Sequence, residues 1–151
     1  MTSVSYDEIF SNFLGSITDY DLQVNLSPSD SYGLMTEYLH KTVADQYVKH
    51  LFSSVTLDDD VQTFTYEMAN GDDDTEFVVM AIAKWMVYEW LHKEVRSRIN
   101  TSQFFGGKEQ KYYSQAQHIS ELRGLQDDAF TEARRFIQDR GYINNSYLGG
   151  T

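Results

Sequence analysis

Cysteine is absent from the sequence, which excludes disulfides, zinc–thiolate sites and thiol nucleophiles. Proline occurs once, at Pro28, and basic residues are scarce: 12 Lys and Arg stand against 23 Asp and Glu, a net charge of −11. A grip on nucleic acid needs cations that displace the counterions of phosphates, and this chain has too few. The charge suits a weaker relation to DNA, an acidic wall that repels it and lets it slide past without sequence-specific contact. No stretch approaches the ~20 apolar residues of a membrane span. The opening "MTSVSYDEIF" lacks a basic start followed by a long apolar run, so neither a signal peptide nor a membrane is expected. The Asn-x-Ser/Thr triplets at Asn25, Asn100 and Asn144 are accordingly expected to be incidental.

What the chain does have is aromatic residues, eleven Tyr and nine Phe in a sequence that is 41% apolar. At 151 residues it fits one domain with a real core. Rings in such excess suggest that several face a partner, since Tyr and Phe give large contact area for few rotatable bonds.

The pattern along the chain predicts a mainly α fold: a helical bundle with two long helices, a small β-hairpin and an extended C-terminal tail. "SYDEIFSNFLG" reads as a first helix, with Ser5 and Glu8 at capping-box spacing, Ile9, Phe10, Phe13 and Leu14 as its stripe, and Gly15 as its stop. After the connector containing Pro28, a second helix starts past Ser29 or Asp30 and carries Leu34, Met35, Tyr38, Leu39 and Val43, with a break near Asp45. The period then becomes two. Phe64, Tyr66 and Met68 alternate with polar residues, and "FSSVTL" is the partner strand of a hairpin over 52–68, with Asp58, Asp59 and Asp60 at the turn.

From about Asp74 to Ile99 the apolar positions cover more than one narrow stripe, so this helix is expected at the centre of the core. "NTSQFFGGKEQKYY" reads as a loop broken by Gly106 and Gly107, and a last helix spans about 108–140, ended by Gly141. Gly124 inside it marks a bend or a close crossing. The expected organisation is one helical domain over 1–140 and a tail over 141–151.

No catalytic set emerges, and no enzyme is expected. Asp58–Asp60 and Asp72–Asp74 lack the spaced ligands and closing glutamate of a calcium loop; a turn and a helix cap explain them more simply. His40, His50, His92 and His118 form no metal-binding pair and read as packed or surface residues. "FFGGK" lacks the strand, the first glycine and the Ser or Thr of a phosphate loop, and reads better as a hinge presenting Phe104 and Phe105 beside Gly106 and Gly107. No cofactor and no metal is implied.

The tail carries the strongest signal. Tyr142, Ile143, Tyr147 and Leu148 follow the last helix in a segment too short for a core of its own, and exposed they would be a liability. Either they fold back on their own domain or they dock on another subunit. Burying each is worth about 1.5–3 kcal/mol, so a single contact is weak, whereas a ring of copies is strong through avidity.

The run "TSQFFGGKEQKYYSQAQHISELRGLQDDAFTEARRFIQDRGYINNSYL" over residues 101–148 resembles a group of small tailed-phage proteins, the head–tail connector or adaptor proteins. "SYDEIFSNFLGSITDYDL" and "LFSSVTLDDDVQTFTYEM" fit the same group. The resemblance implies a mostly helical virion subunit, assembled in the host cytoplasm, that joins a homo-oligomeric, twelve-fold ring in the neck beneath the portal protein. Its tail would grip the portal through Tyr142, Ile143, Asn144, Asn145, Ser146, Tyr147 and Leu148. Two alternatives stay open: a head-closure or tail-completion protein one ring further down, in contact with tail proteins, and an acidic regulator or DNA mimic that occupies a basic partner.

Overall fold

The computed structural model describes residues 1–17, 27–71, 73–104 and 109–143, with side chains described up to residue 97 and again over 117–139. The chain divides into two compact units, Met1–Val87 and Tyr88–Thr151, where the sequence suggested one domain over 1–140.

The first unit opens with strand β1 (Thr2–Ser5), unforeseen in the sequence, which turns directly into helix α1 (Tyr6–Ser16). Ser5 caps α1 by accepting from the Glu8 amide, as the spacing predicts, although the helix runs one residue past Gly15. Helix α2 (Pro28–Ala44) begins earlier than expected: Ser27 is its cap and Pro28 its first residue, where proline's fixed φ and missing N–H do no harm. It breaks at Asp45, whose carboxylate caps the short helix α3 (Gln46–Lys49).

Strands β2 (Phe52–Asp58) and β3 (Thr63–Met68) form the expected hairpin. β1 pairs on the far side of β3, so the sheet is antiparallel in the order β1-β3-β2. The alternation in β3 has the predicted sense, with Phe64, Tyr66 and Met68 all buried. Their partners on the same face are Leu57, Val55 and Phe52.

Helix α4 (Thr75–Phe104) supplies the centre of this unit's core with its first half, as its wide apolar surface foretold. Val78, Ala81, Ile82, Trp85 and Met86 have no exposed surface. Around them lie Ile9, Phe10 and Phe13 from α1 and Met35, Tyr38 and Leu39 from α2, all buried. The rings contact each other, Phe13 against Tyr38 at 6.0 Å and Tyr47 stacked on Trp85 at 5.7 Å, separations at which aromatic pairs attract. Within α2 the Thr42 hydroxyl is buried and finds no partner among the described residues.

The second unit comprises the rest of α4 and helix α5 (Glu109–Ile143). Tyr88 meets Phe130 at 5.4 Å, and the Gln126 amide donates to His92 Nδ1 at 2.8 Å. Both pairs sum to the same residue total, so the two helices run antiparallel. Along α5 the positions Ile119, Leu122, Gln126, Ala129, Ala133 and Phe136 alternate in steps of three and four, the spacing of a helix-packing seam.

Three expectations change here. The predicted loop is shorter, because 100–104 extend α4, while α5 begins at Glu109, next to the expected start near 108. Gly141 does not end α5, which continues through Tyr142 to Ile143; an extended tail from 141 is therefore not found, and 144–151 lie outside the described residues. Gly124 is no close crossing, since a Cβ built there meets nothing within 4 Å.

Candidate functional site

The side chains with chemical potential are mostly used as braces. Asp58 accepts from the amides of Asp60 and Val61, both at 3.1 Å, and so shapes the hairpin turn. The turn needs a left-handed residue before β3 begins, and Gln62 takes it with φ +59. Its carbonyl accepts the amide of Tyr6 at 2.9 Å, tying the turn to the start of α1.

Asp59 closes the same connection. The hydroxyl of buried Tyr6 donates to Asp59 Oδ1 at 2.7 Å, and His40 Nε2 lies 2.9 and 3.0 Å from the two carboxylate oxygens. Folding brings this carboxylate to His40 from 19 residues away. Burial, followed by the hydrogen bond to Asp59, pushes the Tyr6 hydroxyl well above its ordinary value, and the Tyr6 and His40 contacts hold Asp59 below the usual carboxylate range. A tyrosine shifted upward is a poorer proton donor, and His40 spends its nitrogen on Asp59. The trio locks α1, α2 and the hairpin turn together.

Asp73 and Asp74 repeat the theme. Asp73 accepts from Tyr66 at 2.8 Å and from the Thr2 hydroxyl, joining β1, β3 and the approach to α4. These contacts, Thr2 first, lower its carboxyl below the ordinary value. Asp74 caps α4 by accepting from the Phe77 amide at 3.1 Å. The turn and cap roles expected for the acidic clusters are thus visible at Asp58 and Asp74, and no group of three or more potential metal ligands occurs among the described residues. Burial and then the nearby Asp7 charge push the Tyr32 hydroxyl up to about 12, although no hydrogen-bond partner meets that hydroxyl among the described residues.

Two grooves lie on the first unit. One of about 450 Å³ runs between α2 and β2, lined by His40, Val43, Lys49, Phe52, Val55 and Leu57 among others. The second, about 490 Å³, is lined by Glu8, Asn12, Thr75, Glu76, Val79 and Met80. The first also contains Ser53 and Ser54, but the Ser53 hydroxyl donates to the Glu67 carbonyl and His40 Nε2 is engaged by Asp59.

Of the partner-contact residues read from the sequence, Phe104, Tyr142 and Ile143 lie among the described residues. Phe104 is the last residue of α4, whereas Tyr142 and Ile143 form the far end of α5. At 1.5 Å per residue the 35 residues of α5 separate the two ends by about 50 Å. Phe105, Gly106, Gly107, Asn144, Asn145, Ser146, Tyr147 and Leu148 lie outside the described residues.

A further apolar surface is the seam of α5. Of its described side chains only Ala133 is buried; Ile119, Leu122, Phe130, Phe136 and Ile137 are half-exposed, and Leu125 is 55% exposed. The three-and-four spacing was the available signal, and it does not say how many neighbours cover the helix. No family model, curated protein or solved structure matches this chain.

Proposed function

We propose that the protein is a structural subunit of the head–tail connector of a tailed phage, an adaptor that joins a ring beneath the portal and extends the DNA channel. The observation that carries this reading is the half-exposed apolar seam of α5. A 35-residue helix that leaves Leu122, Leu125, Phe136 and Ile137 in partial contact with water is built for lateral packing against further copies. The resemblance over residues 101–148 covers the same helix. In this reading the long helices pack around the ring axis, residues 142–148 reach the portal, and the surplus of carboxylates repels the passing DNA.

The test is co-sedimentation of the purified chain with portal protein, with light scattering to follow its size. A ring that forms only with portal supports the proposal. Removing residues 142–151 should leave helical content unchanged and abolish association. A chain that ignores portal and instead binds a basic protein as a monomer or dimer would overturn the adaptor reading in favour of the DNA mimic.

A further inference from the structure

β2 is an edge strand, and the character of that edge points to a partner. Natural sheets protect an open edge with lysine, proline, short length or bulges, because unpaired N–H and C=O groups template strand addition. β1, the opposite edge, is protected by being four residues long. β2 has seven residues, "FSSVTLD", with no Lys, Arg or Pro, and its one irregularity is confined to Phe52–Ser54. That leaves Ser54–Asp58 as a regular ladder whose outer side pairs with no strand among the described residues.

We propose that β2 pairs antiparallel with β2 of a second copy of this chain, about a two-fold axis at Thr56. Three features select this occupant. The register sets Val55 opposite Leu57 of the second copy, and the reverse, so the two half-exposed aliphatics of each edge cover one another beside the α2 groove. It sets Thr56 against Thr56 on the other face, a favourable cross-strand pair, and leaves the bulge outside the paired stretch. Charge is the third. Lys49 and His50 precede β2, and Asp58, Asp59 and Asp60 end it. Antiparallel pairing brings each acidic turn toward the other copy's basic end, whereas parallel pairing would stack six carboxylates in a chain already at −11. Being isologous, the contact joins two copies and closes, so it satisfies the edge without open-ended growth. It is independent of the connector reading, whose ring requires a different interface.

The absence of cysteine makes the test direct. Thr56 is exposed, and Thr56→Cys places a single thiol on the proposed axis, where paired Cα atoms stand about 4.5–5.5 Å apart, within disulfide reach. Under mild oxidation this variant should convert to a covalent dimer at least ~10-fold faster than Asp128→Cys, an exposed position on α5. In sedimentation, Lys49→Glu should weaken the dimer about 10-fold at low salt, and adding Asp60→Lys should restore it; circular dichroism checks that both variants fold. Equal oxidation rates for the two cysteine variants, or a wild-type chain that stays monomeric at ~100 µM, would overturn the proposal and leave the β2 edge to a strand from another protein.

Discussion

Replacing Tyr6 with phenylalanine isolates the brace that holds the hairpin turn. The ring stays, still buried and still 5.6 Å from Phe10, so packing is unchanged and only the hydroxyl at 2.7 Å from Asp59 is lost. A hydrogen bond to a charged group contributes about 1.5–3 kcal/mol. Asp59, however, is 54% exposed, and water replaces much of what it loses, so the expected loss is about 1 kcal/mol. With an m-value of about 1–2 kcal/mol/M, the urea midpoint of the first unit should fall by roughly 0.5–1 M. Fluorescence reports it cleanly in a Trp90→Phe background, because Trp85 then remains as the sole indole, fully buried in that unit. The pH dependence is the sharper criterion. Tyr6 and His40 hold Asp59 below its ordinary value, so the stabilisation is complete above about pH 4 and disappears as pH falls through the depressed value. Tyr6→Phe should therefore matter at pH 7 and progressively less toward pH 2, and in an Asp59→Asn background it should have little effect at any pH. A loss of the same size at pH 7 and pH 2 would refute the reasoning and assign the effect to packing.

Three further substitutions test the local arguments. Thr42→Val removes a fully buried hydroxyl that has no partner among the described residues and should raise stability by about 1 kcal/mol, read from the thermal midpoint. Gly33→Ala and Gly124→Ala fill open space on exposed helical positions; each should add about 0.5–1 kcal/mol, the second seen in the melting of helical signal. Gln62→Gly relieves a left-handed residue, and after the greater chain entropy of glycine is subtracted the urea midpoint should report a gain of about 0.5 kcal/mol.

The elements legible in the sequence were those whose signal is local. Ser5 capping α1, the alternation of Phe64, Tyr66 and Met68, and the wide apolar face of α4 each depend on residues a few positions apart. β1 was missed because "TSVS" contains one apolar residue and becomes a strand only by pairing with Thr63–Tyr66, some sixty positions away. The start of α2 was misplaced although Ser27-Pro28 carried the signal, a capping side chain followed by a proline suited to the first turn. Gly141 misled in the opposite direction, because glycine weakens a helix by only about 1 kcal/mol and α5 continues through it. The contact surface was harder still. Periodicity identifies a seam, as along Ile119–Phe136, but the half-exposure of that seam is set by how many neighbours the fold supplies.

The scarcity of cations noted at the outset has a structural counterpart. Lys41 pairs with Glu37 at 3.0 Å, but Asp59 and Asp73, which join separate elements, are met by hydroxyls: Tyr6 on Asp59, Tyr66 and Thr2 on Asp73. This accounts for part of the aromatic excess. Tyr6 and Tyr66 each present a ring to the core and a donor to a carboxylate, and Tyr38, Phe10, Phe13, Phe52, Phe64 and Phe77 are buried outright. Among the described residues only Tyr47 is an exposed aromatic, at 36%. Hydroxyl donors also leave the carboxylate charge in place, where a lysine would cancel it. The braces at Asp59 and Asp73 thus form without using any of the chain's 12 Lys and Arg.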